Sequence, residues 1–251
     1  MAYETLATSK TPALIIYLLD VSASMNRPLG GKRRIDVVME ALQASLRQMV
    51  FRSTKGGRIS PRYRLALFAY SDHVYDLLGG IKPVDRVARL GAPELRLLRT
   101  TDTARAFAQV EKLLRDELPN LRHCPAPLVC HITDGEYTGE DPEPIVKRIM
   151  RMAVPDGHVL VENIFISDEI LPEPITDPHR WPGILPETKL ASDYARKLRA
   201  ISSPLPASYQ QIMREMGYRL DPRALMLLPG TSPELVAMGF QMSTSTGMSA
   251  R

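Results

Sequence analysis

The sequence predicts an α/β fold: a doubly wound, mostly parallel open sheet with one antiparallel edge strand and helices on both faces. Three observations carry this. Aliphatic runs that read as buried strands alternate with segments of helical period. Two of those runs, residues 13–19 and 128–133, lead straight into an aspartate. The strand at 63–70 is joined to the next, at 74–78, only by Ser71-Asp72-His73, a link short enough to force an antiparallel pair.

Each element follows in order. Residues 1–12 form a polar lead-in, and the run 13–19 reads as a central strand covered on both faces. A loop with Pro28, Gly30 and Gly31 precedes a helix over 35–51, where Val37, Val38, Ala41, Leu42, Leu46 and Met49 recur at helical spacing. A basic loop, 52–61, leads to the antiparallel pair, and 84–90 reads as a short helix. Residues 95–99 lead into Thr100-Thr101-Asp102-Thr103, ahead of a helix over 104–118 that Thr101 or Thr103 can cap. Residues 119–125 break the chain before the strand at 128–133. A helix at 144–152 and a strand at 159–166 follow.

The last third is less regular. Residues 170–188 are proline-rich, carry the single tryptophan, Trp181, and read as a surface excursion. Helices are expected at 189–201, 208–216 and 232–238, and a last strand at 224–228. The Ser/Thr/Gly/Met-rich segment 241–251 reads as a flexible tail, which leaves 13–240 as a single domain.

Composition bounds the function. With 251 residues, 44% hydrophobic and 24% charged, the chain is an ordinary globular protein with room for a full core. The net charge of +4 is mild but unevenly spread: 27–64 is basic, and 136–177 is acidic. Nothing approaches the roughly 20 apolar residues of a membrane span, and no secretory signal is visible, so a cytoplasmic location is expected. Two cysteines, Cys124 and Cys130, make no disulfide framework.

The chemistry concentrates where strands end. Asp20, Ser22 and Ser24 follow the first strand in an Asp-x-Ser-x-Ser pattern. Asp134 follows the strand at 128–133, and Thr101 precedes a helix. In an open parallel sheet, ligands sit at the carboxyl ends of strands where the winding reverses, so these residues can converge. Two carboxylates and three hydroxyls suit a hard divalent cation, Mg²⁺ before Mn²⁺ or Ca²⁺, rather than zinc.

Asp-x-Ser-x-Ser after the first strand, Thr-x-Thr-Ala at a helix start and Thr-Asp-Gly-Glu after a middle strand together resemble the von Willebrand factor type A domain, over about residues 14–166. The resemblance implies a Rossmann-like sheet and a metal-ion-dependent adhesion site with Asp20, Ser22, Ser24, Thr101 and Asp134 as ligands. It places the threonine ligand at Thr101, one residue after Thr100, and leaves Thr103 to the helix. It implies no enzyme activity. The expected function is a metal-dependent protein-interaction module whose Mg²⁺ accepts an Asp or Glu from a partner. The intracellular bacterial type suggests an AAA+ ATPase, or a kinase, phosphatase or stress-resistance operon product, as that partner.

Two other readings stand beside this one. The basic and acidic segments can build homo-oligomers by head-to-tail contact, and the cation can serve a hydrolase. Nucleotide binding at Gly30-Gly31-Lys32 is set aside because the phosphate-loop spacing is missing. A hydrolase triad through His131 lacks a nucleophile elbow, and the basic segment lacks the interleaved aromatics of a nucleic-acid surface.

Overall fold

The computed structural model describes residues 3–90, 95, 97 and 101–248. Seven strands form its main sheet: β1 (Ala13–Asp20), β2 (Tyr63–Tyr70), β3 (Val74–Asp76), β4 (Lys82–Pro83), β5 (Leu128–Thr133), β6 (Leu160–Phe165) and β7 (Leu227–Pro229). The spatial order is β7-β6-β5-β1-β2-β3, with β4 also paired to β2. All neighbours from β7 to β2 run parallel. β3 and β4 run antiparallel to β2, at its two ends. The single antiparallel edge strand expected is thus laid down in two short pieces.

Every residue of β1 is buried, because it lies in mid-sheet with helices on both sides. Its side chains alternate between two cores. Ile15, Tyr17 and Leu19 face one core with α1 (Arg34–Ser53), α2 (Val84–Leu90), α6 (Ala207–Glu215) and α7 (Pro233–Ser243). Leu14, Ile16 and Leu18 face the other, with α3 (Thr103–Glu117), α4 (Glu143–Arg151) and α5 (Asp193–Ala200). Tyr17 stacks on Phe240 of α7 at 5.6 Å, and its hydroxyl meets Ser243 Oγ at 2.7 Å.

Local chemistry explains most element boundaries. Pro28–Leu29 and Lys32–Arg33 pair as a small hairpin around Gly30 and Gly31, whose φ of 58° and 82° suits a type I′ turn that only glycine adopts cheaply. Gly30-Gly31-Lys32 is therefore the turn and second strand of a hairpin. At α3 the cap is neither threonine: Asp102 accepts from the Arg105 N–H at 2.9 Å, the better acceptor at the expected place. Thr100 and most of 95–99 lie outside the described residues.

The C-terminal third departs most from expectation. β7 begins three residues later than expected, while Leu225 bridges Ile184 and Pro204. The proline-rich stretch 170–188 is anchored, with Ile184 fully buried. α7 runs on to Ser243, and the described part of the segment expected to be a flexible tail is packed: Ser243, Thr244, Ser245 and Thr246 are all buried. Their hydroxyls bond the last helical carbonyls, as when Ser243 donates to Phe240 O and Thr246 to Ser243 O, both at 2.8 Å. The lead-in is held too. Glu4 and Thr5 donate their N–H groups to Asp156, and Ala7 donates to Gly247 O at 2.7 Å.

Candidate metal centre

The chain winds one way from β1 to β2 and the other way from β5 to β6, so the reversal lies between β1 and β5. Ligands gather at such a crevice. The two strands are parallel and in register, Leu19 opposite Ile132, which brings Asp20 beside Thr133 and the turn at Asp134.

Asp20 is fully buried. Its Oδ1 accepts the Ser22 N–H at 2.8 Å, and its Oδ2 accepts the Thr133 hydroxyl at 2.9 Å. Burial pushes its carboxyl up to about 6, the Asp134 charge adds to this, and the Ser22 and Thr133 hydrogen bonds hold it down. The Asx turn at Asp20 aims the next residues across the crevice. Ser22 Oγ and Ser24 Oγ stand 2.9 Å apart, Ser24 donates to Asp134 Oδ1 at 2.6 Å, and Ser22 reaches the same oxygen at 3.4 Å.

Thr101 is buried on a neighbouring loop whose backbone is clamped to the turn after β5. Thr138 N donates to Thr101 O at 2.9 Å, and Thr101 N donates to Thr138 Oγ1 at 3.3 Å. Among the described residues no hydrogen bond joins the Thr101 hydroxyl to the other four. Ser22, Ser24 and Asp134 thus meet directly, Asp20 joins them through Ser22, and Thr101 is tied by its backbone to Thr138, four residues beyond Asp134.

The oxygens fit a hard cation. Adjacent ligands of an octahedral ion with bonds of about 2.0–2.1 Å lie about 2.9 Å apart, the separation of the two serine hydroxyls. Among the described residues no group of three or more His, Cys, Asp or Glu could hold a metal, so a cation here would rest on the hydroxyls as well as the two carboxylates.

Two neighbours of the site are not apparent from the sequence. Arg34, the first residue of α1, donates from Nη1 to Asp134 Oδ2 at 2.9 Å, with its side chain only 13% exposed. Its sequence neighbours Lys32 and Arg33 instead pair outward with Glu40 and Asp36. Nothing in Lys-Arg-Arg marks which cation turns inward. Thr133 is the other: it ends a strand of apolar pattern yet orients Asp20.

Behind the site, His131 is a core residue. Its Nε2 meets the Tyr70 hydroxyl at 2.7 Å and its Nδ1 meets Asn163 Oδ1 at 2.8 Å. Burial pulls its imidazole down to about 4, which leaves it neutral and engaged on both nitrogens. Cys124 and Cys130 are free and buried.

A doubly wound sheet with a hydroxyl-carboxylate cluster at its switch point is the arrangement of a von Willebrand factor type A fold, and this chain has that fold. No family profile matches the sequence, and no curated protein matches it. Solved structures do. The VWA domain of SpRpn10 matches at 11% identity and TM-score 0.53, over 96% of this chain and all of that one. The pilus adhesin SpaC from Lactobacillus rhamnosus GG matches at 11% identity and TM-score 0.58, over 93% of this chain. Proximal thread matrix protein 1 from the mussel byssus matches at 12% identity and TM-score 0.53, over 94%. The match spans only 30% of the adhesin and 48% of the byssus protein.

Proposed function

We propose that this protein is a protein-interaction module, not an enzyme, that captures an acidic side chain of a partner through a divalent cation, Mg²⁺ first. Asp20, Ser22, Ser24, Thr101 and Asp134 would hold the ion. The observation that carries this reading is the Ser22–Ser24–Asp134 oxygen triangle at the switch point. Three of the five ligands are neutral hydroxyls, and one of the two carboxylates already faces Arg34. A cation in such a shell keeps much of its charge for a further anionic ligand.

The competing readings have less support. Two carboxylates are few for two-metal hydrolysis. In the basic segment, Lys32, Arg33, Arg34 and Arg64 are paired within the chain, and Glu162 of the acidic segment is in the core, which weakens assembly through opposite faces. No helix among the described residues is long and apolar enough to cross a membrane. The proposed setting is cytoplasmic, where the resemblance offers an AAA+ ATPase, or a kinase, phosphatase or stress-resistance operon product, as partner.

Calorimetric titration with Mg²⁺ tests the metal, and capture from the native host with Mg²⁺ or EDTA tests the bridge. Asp20→Ala and Thr101→Ala are expected to abolish both while leaving a folded chain. Mg²⁺-dependent capture that survives both changes would refute the reading.

A further inference from the structure

A second uneven surface lies toward the other end of the sheet from the candidate metal centre. Asp20 is in register with Tyr70 at one end of β1, and Ala13 with Tyr63 at the other. At the Tyr63 end a cleft of about 590 Å³ is lined by the exposed Leu6, by Arg52 and by Arg62. It shares Phe51 and Thr54 with a neighbouring cleft of about 600 Å³ that runs between α1 and α2. Phe51 is 80% exposed and stands as the ridge between the two. In the α1–α2 cleft, Leu46 and Val87 close the floor, Val50 is half-buried and Ala88 is exposed. Leu90, 64% exposed, follows at the end of α2.

The charge around this apolar surface has one sign. Among the described residues no carboxylate lines either cleft, whereas Arg47, Arg52 and Arg62 do. In the basic segment 27–64, Lys32, Arg33, Arg34 and Arg64 are neutralised by carboxylates. Arg47, Lys55, Arg58 and Arg62 are all exposed and have no such partner among the described residues. The uncompensated half of the basic segment is therefore the half that surrounds Phe51.

Both volumes fall within the range of about 300–1,000 Å³ in which pockets take up ligand groups. The α1 side of the groove runs from Gln43 to Thr54, about 16 Å at about 1.5 Å per residue, which matches about three turns of a helix laid alongside. A membrane surface attracts exposed apolar and basic groups but has no side chains to fill two clefts. A second copy is a poor match: among the described residues its exposed large apolar side chains are Leu6, Phe51, Ile59, Tyr75 and Leu90, none of them in the acidic segment 136–177.

We propose that this face docks an acidic amphipathic helix of a partner protein. Apolar side chains three and four residues apart on that helix enter the clefts on either side of Phe51, and its Asp and Glu residues meet Arg47 and Arg62. The surface is separate from the metal centre and needs no cation.

Selection of phage-displayed random 16-mers on the full chain in EDTA tests this, after binders to a Phe51→Asp chain have been removed. Enriched sequences are expected to place apolar residues three and four apart with Asp or Glu between them. Arg47→Glu and Arg62→Glu, both at exposed positions, should each weaken an enriched peptide by about tenfold in fluorescence anisotropy. A selection that enriches nothing, enriched peptides without acids, or undiminished binding by both charge-reversed chains would overturn the proposal. Wild-type binding to anionic phospholipid vesicles that Phe51→Asp abolishes, with no peptide enriched, would overturn it in favour of a membrane. A dimer in sedimentation that Phe51→Asp dissolves would overturn it in favour of a second copy. The metal-bridge reading stands or falls apart from all of these.

Discussion

Arg34 Nη1 lies 2.9 Å from Asp134 Oδ2, while the other oxygen of the same carboxylate accepts from Ser24 at 2.6 Å. Asp134 therefore divides its two oxygens between a resident guanidinium and the candidate metal centre. The pair is well shielded, with the Asp134 side chain fully covered. Breaking a buried pair by removing one partner leaves an uncompensated charge, at a cost of about 3–5 kcal/mol.

Arg34→Gln is accordingly expected to destabilise the chain in EDTA by several kcal/mol and to sharpen its response to Mg²⁺. With the guanidinium gone, the cation no longer shares Asp134 with a directly paired side chain, and its affinity should rise by about tenfold. Melting curves in EDTA and in saturating Mg²⁺ measure both effects. If the two curves drop by the same amount, Arg34 and the metal do not share Asp134.

Glu162 presents the opposite case, a carboxyl with no cation. It lies inside β6, fully buried, with neither oxygen hydrogen-bonded at ordinary distance among the described residues and the weakly polar Cys130 thiol near it. Burial pushes its carboxyl well above the usual range. The unfolded chain releases this proton near pH 4–5 and the folded chain keeps it, so the group costs stability increasingly as pH rises above that range. Glu162→Gln removes the pH-dependent cost. The variant should gain stability at pH 8, read as a higher melting temperature, and little at pH 4. An equal gain at both values would show that ionisation is not the cause.

His131 works with the reverse sign. The unfolded chain takes up its proton near pH 6.5, whereas the folded chain waits until about 4. Stability is full above pH 6.5 and falls as pH drops through that window, by on the order of 3 kcal/mol. His131→Gln, although less stable at neutral pH, should show a flatter loss between pH 6.5 and 4 in denaturant titrations. A slope unchanged from wild type would assign the acid sensitivity elsewhere.

These two residues show how far the sequence could be read. β1 and β5 stand out because an unbroken aliphatic run ending in aspartate leaves little choice of environment, and the Asp20, Ser22, Ser24 and Asp134 cluster follows from where those strands stop. β6 also stands out as a strand, but its central Glu162 and Asn163 look polar and are core. A polar residue at a buried position is decided by what lies opposite, here Cys130 for Glu162 and His131 for Asn163, and that is set by strand register. Arg34 is obscured for the same kind of reason. Its direction depends on where α1 meets the β5 turn, a hundred residues away in sequence.

The C-terminal segment misleads in the other direction, because a run of Ser, Thr, Gly and Met resembles a loose end. Its carbonyls and hydroxyls are instead fasteners. Arg52 Nη1 donates to Thr244 O at 2.8 Å, the buried Tyr209 hydroxyl donates to Thr246 Oγ1 at 2.8 Å, and Ala7 N–H donates to Gly247 O at 2.7 Å. A chain ending at Ser243 loses all three and strands the Tyr209 hydroxyl in the core. At about 1 kcal/mol for each bond, more for the stranded group, the deletion should cost on the order of 3 kcal/mol, or about 6–12 °C in melting temperature. Thr246→Val, which keeps the volume and removes the hydroxyl, deletes the Tyr209 contact together with the Thr246 bond to Ser243 O and should cost about 2 kcal/mol. A loose tail would leave both melting temperatures at the wild-type value.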